Sequence, residues 1–321
     1  MSQIDPMPDI SGARPAGPDP GTLELEVLHE TCYEYDTPVS FAHHLAYLRP
    51  LTDAYQVLIN YALEVEPAPA QRRDGTDVFG NACNHLTILQ PHRELRVRAH
   101  ARLRVSPRFT SLDPEAAPNW KRVRDRLLYV ARAPFDPAVE FVQPSPYVPR
   151  LEALREYALP SFPSGRPVAA AALDLMHRIH ADFRYEARST EIDTPLEEAF
   201  TQRRGVCQDF AHLMVGSLRM LRLPARYVSG YLRTSSGDGP LFVGADASHA
   251  WVQVYAPGTP GVPADGWLDL DPTNDLVPAS GHVRLAVGRD FGDVAPLSGV
   301  IRGGGHHRLT VGVTTRLLGP A

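Results

Sequence analysis

Hydrophobic and polar positions alternate along this chain first with a period of two and later with a period near that of a helix, and the change divides it. Leu23-Glu24-Leu25-Glu26-Val27 alternates strictly, as do Leu95-Arg96-Val97-Arg98 and Leu103-Arg104-Val105. That is the pattern of strands with one face buried and one face wet. Residues 61–65 and 84–88 read as further strands, with Asp74-Gly75 and Gly80-Asn81 as turn dipeptides. Together they predict a small β-sandwich over residues 22–106. Residues 1–21 carry Pro6, Pro8, Pro15, Pro18 and Pro20; such a segment buries too little surface to offset chain entropy and predicts a loose tail.

A proline-rich connector over 107–165 holds short helical pieces around 123–130 and 151–157. Behind Pro167, the residues Val168, Ala171, Leu175, Met176, Ile179 and Phe183 recur at helical spacing. Thr194-Pro195-Leu196-Glu197 has the form of a capping box and predicts a short helix. A third helix is predicted over 206–221 from the stripe Phe210, Leu213, Met214, Leu218 and Leu221, with Pro224 ending it. Strand-like runs follow at 225–232, 249–255 and 266–271. Helices first and antiparallel strands afterwards make an α+β layout, with 166–321 as the second domain.

Composition narrows the function classes. Hydrophobic residues at 43% and charged residues at 21% fit a soluble globular chain. The net charge of -5 argues against nucleic acid as a partner, because phosphate binding needs a Lys/Arg excess. No run reaches the roughly 18 apolar residues needed to span a bilayer, and the N-terminus lacks a basic region followed by an apolar stretch. The expectation is a cytoplasmic protein without membrane contact. Cys32, Cys83 and Cys207 are too few for a disulfide scaffold; if Cys32 and Cys83 pair, Cys207 is the free thiol.

Gly205-Val206-Cys207 stands where the third helix begins, which puts the thiol at the positive end of that helix and favours the thiolate. Asp209 opposes this unless its carboxylate bonds the first-turn amides, the arrangement expected. His249 opens a strand in which Ala250, Val252 and Val254 share one face, so His249, Trp251 and Gln253 share the other. Trp267, Asp269 and Asp271 lie together on one face of the next strand. A carboxylate there can fix the imidazole's tautomer, and both aspartates qualify by spacing. Taken singly, each residue has a plainer reading: a small buried cysteine, a polar-face histidine, an aspartate in a turn before Pro272. In this order they supply a nucleophile, a base and an orienting group.

The segment Arg204-Gly205-Val206-Cys207-Gln208-Asp209-Phe210-Ala211-His212 resembles the cysteine motif of bacterial transglutaminase-like proteins. Ala225-Arg226-Tyr227-Val228-Ser229-Gly230-Tyr231 resembles the strand that follows it. Ser248-His249-Ala250-Trp251-Val252 and Trp267-Leu268-Asp269-Leu270-Asp271-Pro272-Thr273-Asn274 resemble the histidine and aspartate motifs. Gly288-Arg289-Asp290-Phe291-Gly292-Asp293-Val294-Ala295-Pro296 is similar to the C-terminal signature, with Phe291 where tyrosine is commoner. Asp77-Val78-Phe79-Gly80-Asn81 resembles the turn of the β domain that precedes the catalytic domain in these proteins.

The resemblance implies a papain-like, transglutaminase-like core behind an accessory sandwich, with Cys207, His249 and Asp271 as the triad. Asp271 is preferred to Asp269 because the family's aspartate immediately precedes Pro-Thr-Asn. It further implies acyl transfer through a thioester, with a peptide or protein as substrate. A peptidase or amidase is preferred; a crosslinking transamidase and a non-catalytic peptide-binding module are the alternatives. The Cys207 amide is one oxyanion donor, with Tyr185 and Gln202 as weaker candidates for a second. No cofactor or metal is expected: the chain lacks an Asp-x-Asp-x-Asp-Gly calcium loop. The adjacent histidines His43-His44 and His306-His307 point to opposite faces of any strand and cannot readily chelate one ion.

Overall fold

The computed structural model describes residues 21–132, 134–187, 194–233 and 248–320; the tail expected over 1–21 lies outside them but for its last residue. In chain order the elements are β1 (Leu23–Ala46), β2 (Gln56–Glu66), β3 (Gln71–Thr76), β4 (Ala82–Ile88), β5 (His92–Val105), α1 (Trp120–Arg126), α2 (Glu152–Ala158) and α3 (Val168–Asp182). Then come β6 (Arg184–Tyr185), α4 (Leu196–Gln202), β7 (Arg204–Gly205), α5 (Cys207–Met220), β8 (Ala225–Leu232), β9 (His249–Tyr255), β10 (Trp267–Leu270), β11 (His282–Gly288), α6 (Phe291–Val294), β12 (Leu297–Gly303) and β13 (His307–Pro320).

The 24-residue strand β1 organises the first domain. Its first half pairs with β5, which pairs in turn with β2; its second half pairs with β4, which pairs with β3. The register breaks between Glu34 and Val39, where one half gives way to the other. Val39 and Ala42 of β1, Leu86 and Ile88 of β4, and Leu95 and Val97 of β5 meet in one buried cluster. Strands belonging to the two halves thus face each other as a sandwich.

The last two strands of the chain return to this sandwich. β12 pairs antiparallel with residues 39–46 of β1, and β13 with residues 23–35. Residues expected to extend the second domain therefore complete the first. They join through backbone hydrogen bonds along β1, and most of β12 stays exposed, so no burial periodicity marks it in the sequence.

The second domain centres on an antiparallel sheet of order β10-β9-β8-β11. Ala250, Val252 and Val254 pack with Phe210, Leu213, Met214 and Leu218 of α5 in one core, as the two periodicities require. Trp251, with Val228 and Val287, meets Leu51 and Phe79 of the β domain on the other side. Gly230 makes room for Trp251: a Cβ there would stand 2.4 Å from the indole and 2.2 Å from the Val283 carbonyl oxygen.

Side-chain amides of the β domain close the edge strand β11. Gln56 Nε2 donates to the Arg284 carbonyl at 2.8 Å while its Oε1 accepts from the Arg284 N–H at 2.8 Å. Asn81 repeats the pattern on Val287, at 2.7 Å and 2.8 Å. These groups would otherwise be unpaired at the edge of a sheet. The Asp77-to-Asn81 turn is held by Asp77 Oδ1, which accepts from the Phe79 and Asn81 amides.

Two local expectations need correction, and the pairing left open for two cysteines is decided. α4 has Pro195 as its N-cap with no side-chain cap, so Thr194 does not close a capping box. Cys32 and Cys83 are unbridged, and all three thiols are free. The predicted third helix starts at Cys207 itself, one residue later than expected. Among the described residues no helix is long and apolar enough to cross a membrane.

Asn81→Ala strips the Val287 peptide of both partners at a buried junction. Stability is expected to fall by about 1–3 kcal/mol, measured by denaturant unfolding; a loss within experimental error would mean that the clamp does not hold the two domains together.

Candidate active site

Chain entry into α5 is tightly specified. β7 runs parallel to β6 with Tyr185 beside Gly205, and Val206 is extended as the N-cap, so Cys207 is the first helical residue. Asp209 turns back and accepts from the Val206 N–H at 2.8 Å, one residue short of the first-turn amides expected to hold it. Gly205 lets it do so, since a Cβ at that position would lie 2.5 Å from Asp209 Oδ2. The first-turn amides of α5 have no acceptor within the helix. The Cys207 thiol reaches toward the Ser248 carbonyl, at 4.0 Å, which places it next to His249 in the chain.

His249 and Asp271 are both fully inside the protein. His249 Nε2 donates to Asp271 Oδ2 at 2.9 Å. Asp269 sits opposite Gln253 in the interior of the β9–β10 ladder, whereas Asp271 lies just past the end of β10, where its side chain reaches the histidine. Asp271 Oδ1 accepts from the Thr273 and Asn274 amides at 3.0 Å and 3.2 Å, and Oδ2 also accepts from Asn274 Nδ2 at 2.9 Å. Burial pushes the carboxyl up, but the His249 charge and the hydrogen bonds from His249 and His282 outweigh it and hold Asp271 well below the usual carboxylate range. Burial likewise pulls His249 down; the Asp271 charge and hydrogen bond, helped by Cys207, win and push it up to about 10. With Nε2 committed to Asp271, the interaction with Cys207 falls to Nδ1, which has no other hydrogen-bond partner among the described residues.

Cys207 and His249 line one cavity of about 310 Å³. Tyr185, Gln208, Tyr227 and Phe291 bound it on the core side. His29, Thr31 and Tyr33 of β1 and Leu309 and Val311 of β13 bound it on the other. The sandwich and the C-terminal strands are thus part of the site.

Two family models match the chain, the bacterial transglutaminase-like N-terminal region over residues 25–104 and the transglutaminase-like superfamily over 162–272. An uncharacterised protein of Mycobacterium tuberculosis is 38% identical over 286 residues, 88% of each chain. The chain belongs to the transglutaminase-like superfamily. A protein-glutamine gamma-glutamyltransferase of Pseudomonas aeruginosa is 32% identical over 117 residues, 35% of this chain and 17% of that protein. The fold matches the crystal structure of a candidate cysteine protease from Cytophaga hutchinsonii with TM-score 0.69 and 22% identity, covering 94% of this chain and 92% of that one.

Cysteine-based acyl transfer is the chemistry of the transglutaminase-like superfamily in general, and the structure of this member separates the expected site residues. Cys207, His249 and Asp271 come together. Tyr185 faces the cavity. Gln202 does not: it lies exposed at the end of α4, its amide donating to Glu198 at 2.7 Å and its oxygen accepting from Arg204 at 3.0 Å. Helical spacing gives it the i−4 glutamate as a partner instead of the cavity. Tyr227, quoted only as part of a strand motif, is buried against the site; burial first, and then the charge of Cys207, keeps its phenol protonated.

His282 is the residue that sequence reasoning missed. From the start of β11, two strands away from β9, it donates from Nε2 to Asp271 Oδ2 at 3.1 Å. Trp251 packs on both histidines, stacked on His249 with centroids 6.0 Å apart and edge-on to His282 at 5.3 Å. No linear signal ties His282 to Asp271, because β9 and β8 lie between β10 and β11 in the sheet. His249, Asp271 and His282 are close enough to ligate an ion, but the hydrogen bonds already satisfy Oδ2 and His249 balances its charge. His43 and His44 diverge as expected, one exposed and one buried.

The two shifts set a pH window. The depressed Asp271 contributes stability above its ordinary value of 3.8 that is lost as pH falls; the raised His249 contributes stability fully present below 6.5 and lost as pH climbs toward about 10. Asp271→Asn is expected to cost about 3–5 kcal/mol between those two ordinary values, and less on either side. Unfolding free energies of both proteins across pH check this; a pH-independent difference would refute the coupling.

Proposed function

We propose that this protein is a cysteine peptidase or amidase in which Cys207 is the nucleophile, His249 the general base and acid, and Asp271 the group that orients and charges His249. The observation that carries this reading is the convergence of Cys207 and His249 on one cavity, with His249 Nε2 bonded to a buried carboxylate and Nδ1 left for the sulfur. Nδ1 of the charged His249 holds the proton, and Sγ, as the thiolate, bonds to the carbonyl carbon while the C=O π pair moves onto oxygen. The C–N bond then breaks, and the leaving nitrogen takes the proton from the imidazolium. Water adds to the thioester and gives a proton to His249; the C–S bond breaks, the acid leaves, and the sulfur is restored. The first-turn amide of Cys207 donates to the oxygen on which charge develops, and Tyr185, which lines the same cavity, is the candidate for a further donor. Support for hydrolysis comes from the Cytophaga hutchinsonii protein of the same fold, described as a candidate cysteine protease.

Transfer to an amine is the second reading, favoured by the partial identity to the Pseudomonas aeruginosa gamma-glutamyltransferase. The chemistry differs only in what attacks the thioester. A protein that merely holds peptides in the cavity would need neither step.

Iodoacetamide should alkylate Cys207 near neutral pH well before Cys32 and Cys83, and His249→Ala should slow that reaction by roughly a hundredfold. Mass spectrometry with a peptide library should then trap an acyl group on Cys207, and an added primary amine should divert product only if the protein is a transferase. Equal, sluggish labelling of the three thiols would leave the binding module as the surviving reading.

A further inference from the structure

The cavity beside Cys207 contains no Asp, Glu, Lys or Arg among its described lining residues. The strand periodicity of β1 explains this: His29, Thr31 and Tyr33 face the cavity, so Glu30 and Glu34 must face away. Glu30 is spent there on Arg98, at 2.6 Å. On β13, Leu309 and Val311 face in on the same alternation, and they remain 42% and 39% exposed. Apolar side chains left open at the wall of a site beside a reactive thiol are a surface for substrate and not a packed core.

The polar groups of this wall are neutral as well. His29 is bonded through Nε2 to Thr31 Oγ1 at 2.7 Å and through Nδ1 to the Tyr231 hydroxyl at 3.0 Å. Burial pulls His29 down to about 4, so it carries no charge at neutral pH. Burial raises the Tyr33 phenol, which stays protonated. A charged substrate side chain entering here would lose water and meet no counter-charge on the wall.

We propose that the wall formed by β1 and β13 sets specificity, so that the substrate residue flanking the reacting carbonyl is uncharged and apolar, a bulky aliphatic or aromatic side chain, and acidic or basic residues are rejected there. This rests on the reading of Cys207 as the nucleophile. It gives the sandwich and the C-terminal strands a direct part in substrate choice, with Leu309 and Val311 as the residues that determine it.

Peptidyl vinyl sulfones that differ only in the residue next to the reactive group, Phe, Leu, Glu or Lys, test the proposal. The sulfur adds to the vinyl carbon and the neighbouring carbon takes up a proton, so intact-mass spectrometry reads the rate at Cys207. Phe and Leu probes should react roughly tenfold or more faster than Glu and Lys probes. Val311→Lys should raise the Glu-to-Phe rate ratio by roughly tenfold, and Val311→Glu the Lys-to-Phe ratio, each rate normalised to iodoacetamide labelling of the same variant. Four probes reacting within twofold of one another, or ratios that the variants leave unchanged, would overturn the specificity while leaving the nucleophile intact. A Cys207 inert to iodoacetamide and to every probe would overturn both.

Discussion

Everything at this site hangs on one buried carboxylate. Asp271 has no exposure to solvent, and an isolated carboxylate in such a place would be protonated or would unfold its surroundings. It survives as an anion because five donors converge on it: two backbone amides, the Asn274 amide and two imidazoles. The same donors define the turn after β10, the tilt of His249 and the position of His282. In return the carboxylate raises the proton affinity of His249, the imidazole beside the Cys207 thiol. Fold and chemistry are therefore two consequences of the same charge.

The second constraint is topological. β1 is a single strand shared by two sheet halves, and it takes β12 and β13 from the other end of the chain. Closing the sandwich therefore requires the chain to pass through the whole acyl-transfer core first. That core is in turn clamped at β11 by Gln56 and Asn81. The two domains are interleaved, and the cavity at their junction has one wall from each. An accessory sandwich in this architecture is a component of the site.

Much was legible in the linear pattern. Period-two runs marked β1, β2, β4 and β5, and three- and four-residue steps marked α3 and α5, because each of those elements buries one face against a core. The placement of Cys207 at a helix start followed from Gly205 and the apolar stripe behind it. β9 and β10 were legible from the same alternation, although the structure buries both of their faces. β12 was not, since most of it stays wet and pairs only through its backbone. Gln202, a weak candidate from the start, stays out of the cavity because a polar residue near the cysteine in sequence can spend its hydrogen bonds along its own helix.

The sequence by itself determined most of the elements, a cysteine at a helix N-terminus, and a histidine and two eligible aspartates on or beside strands, since these depend on residues a few positions apart. Strand spacing left Asp271 and Asp269 open, and the motif resemblance preferred Asp271; tertiary structure alone decided that His282 shares the carboxylate oxygen that His249 meets, and that β1 and β13 wall the cavity. Those contacts join residues from 11 to several hundred positions apart, and they form through sheet order and backbone pairing. Neither leaves a periodic mark on the residues that take part.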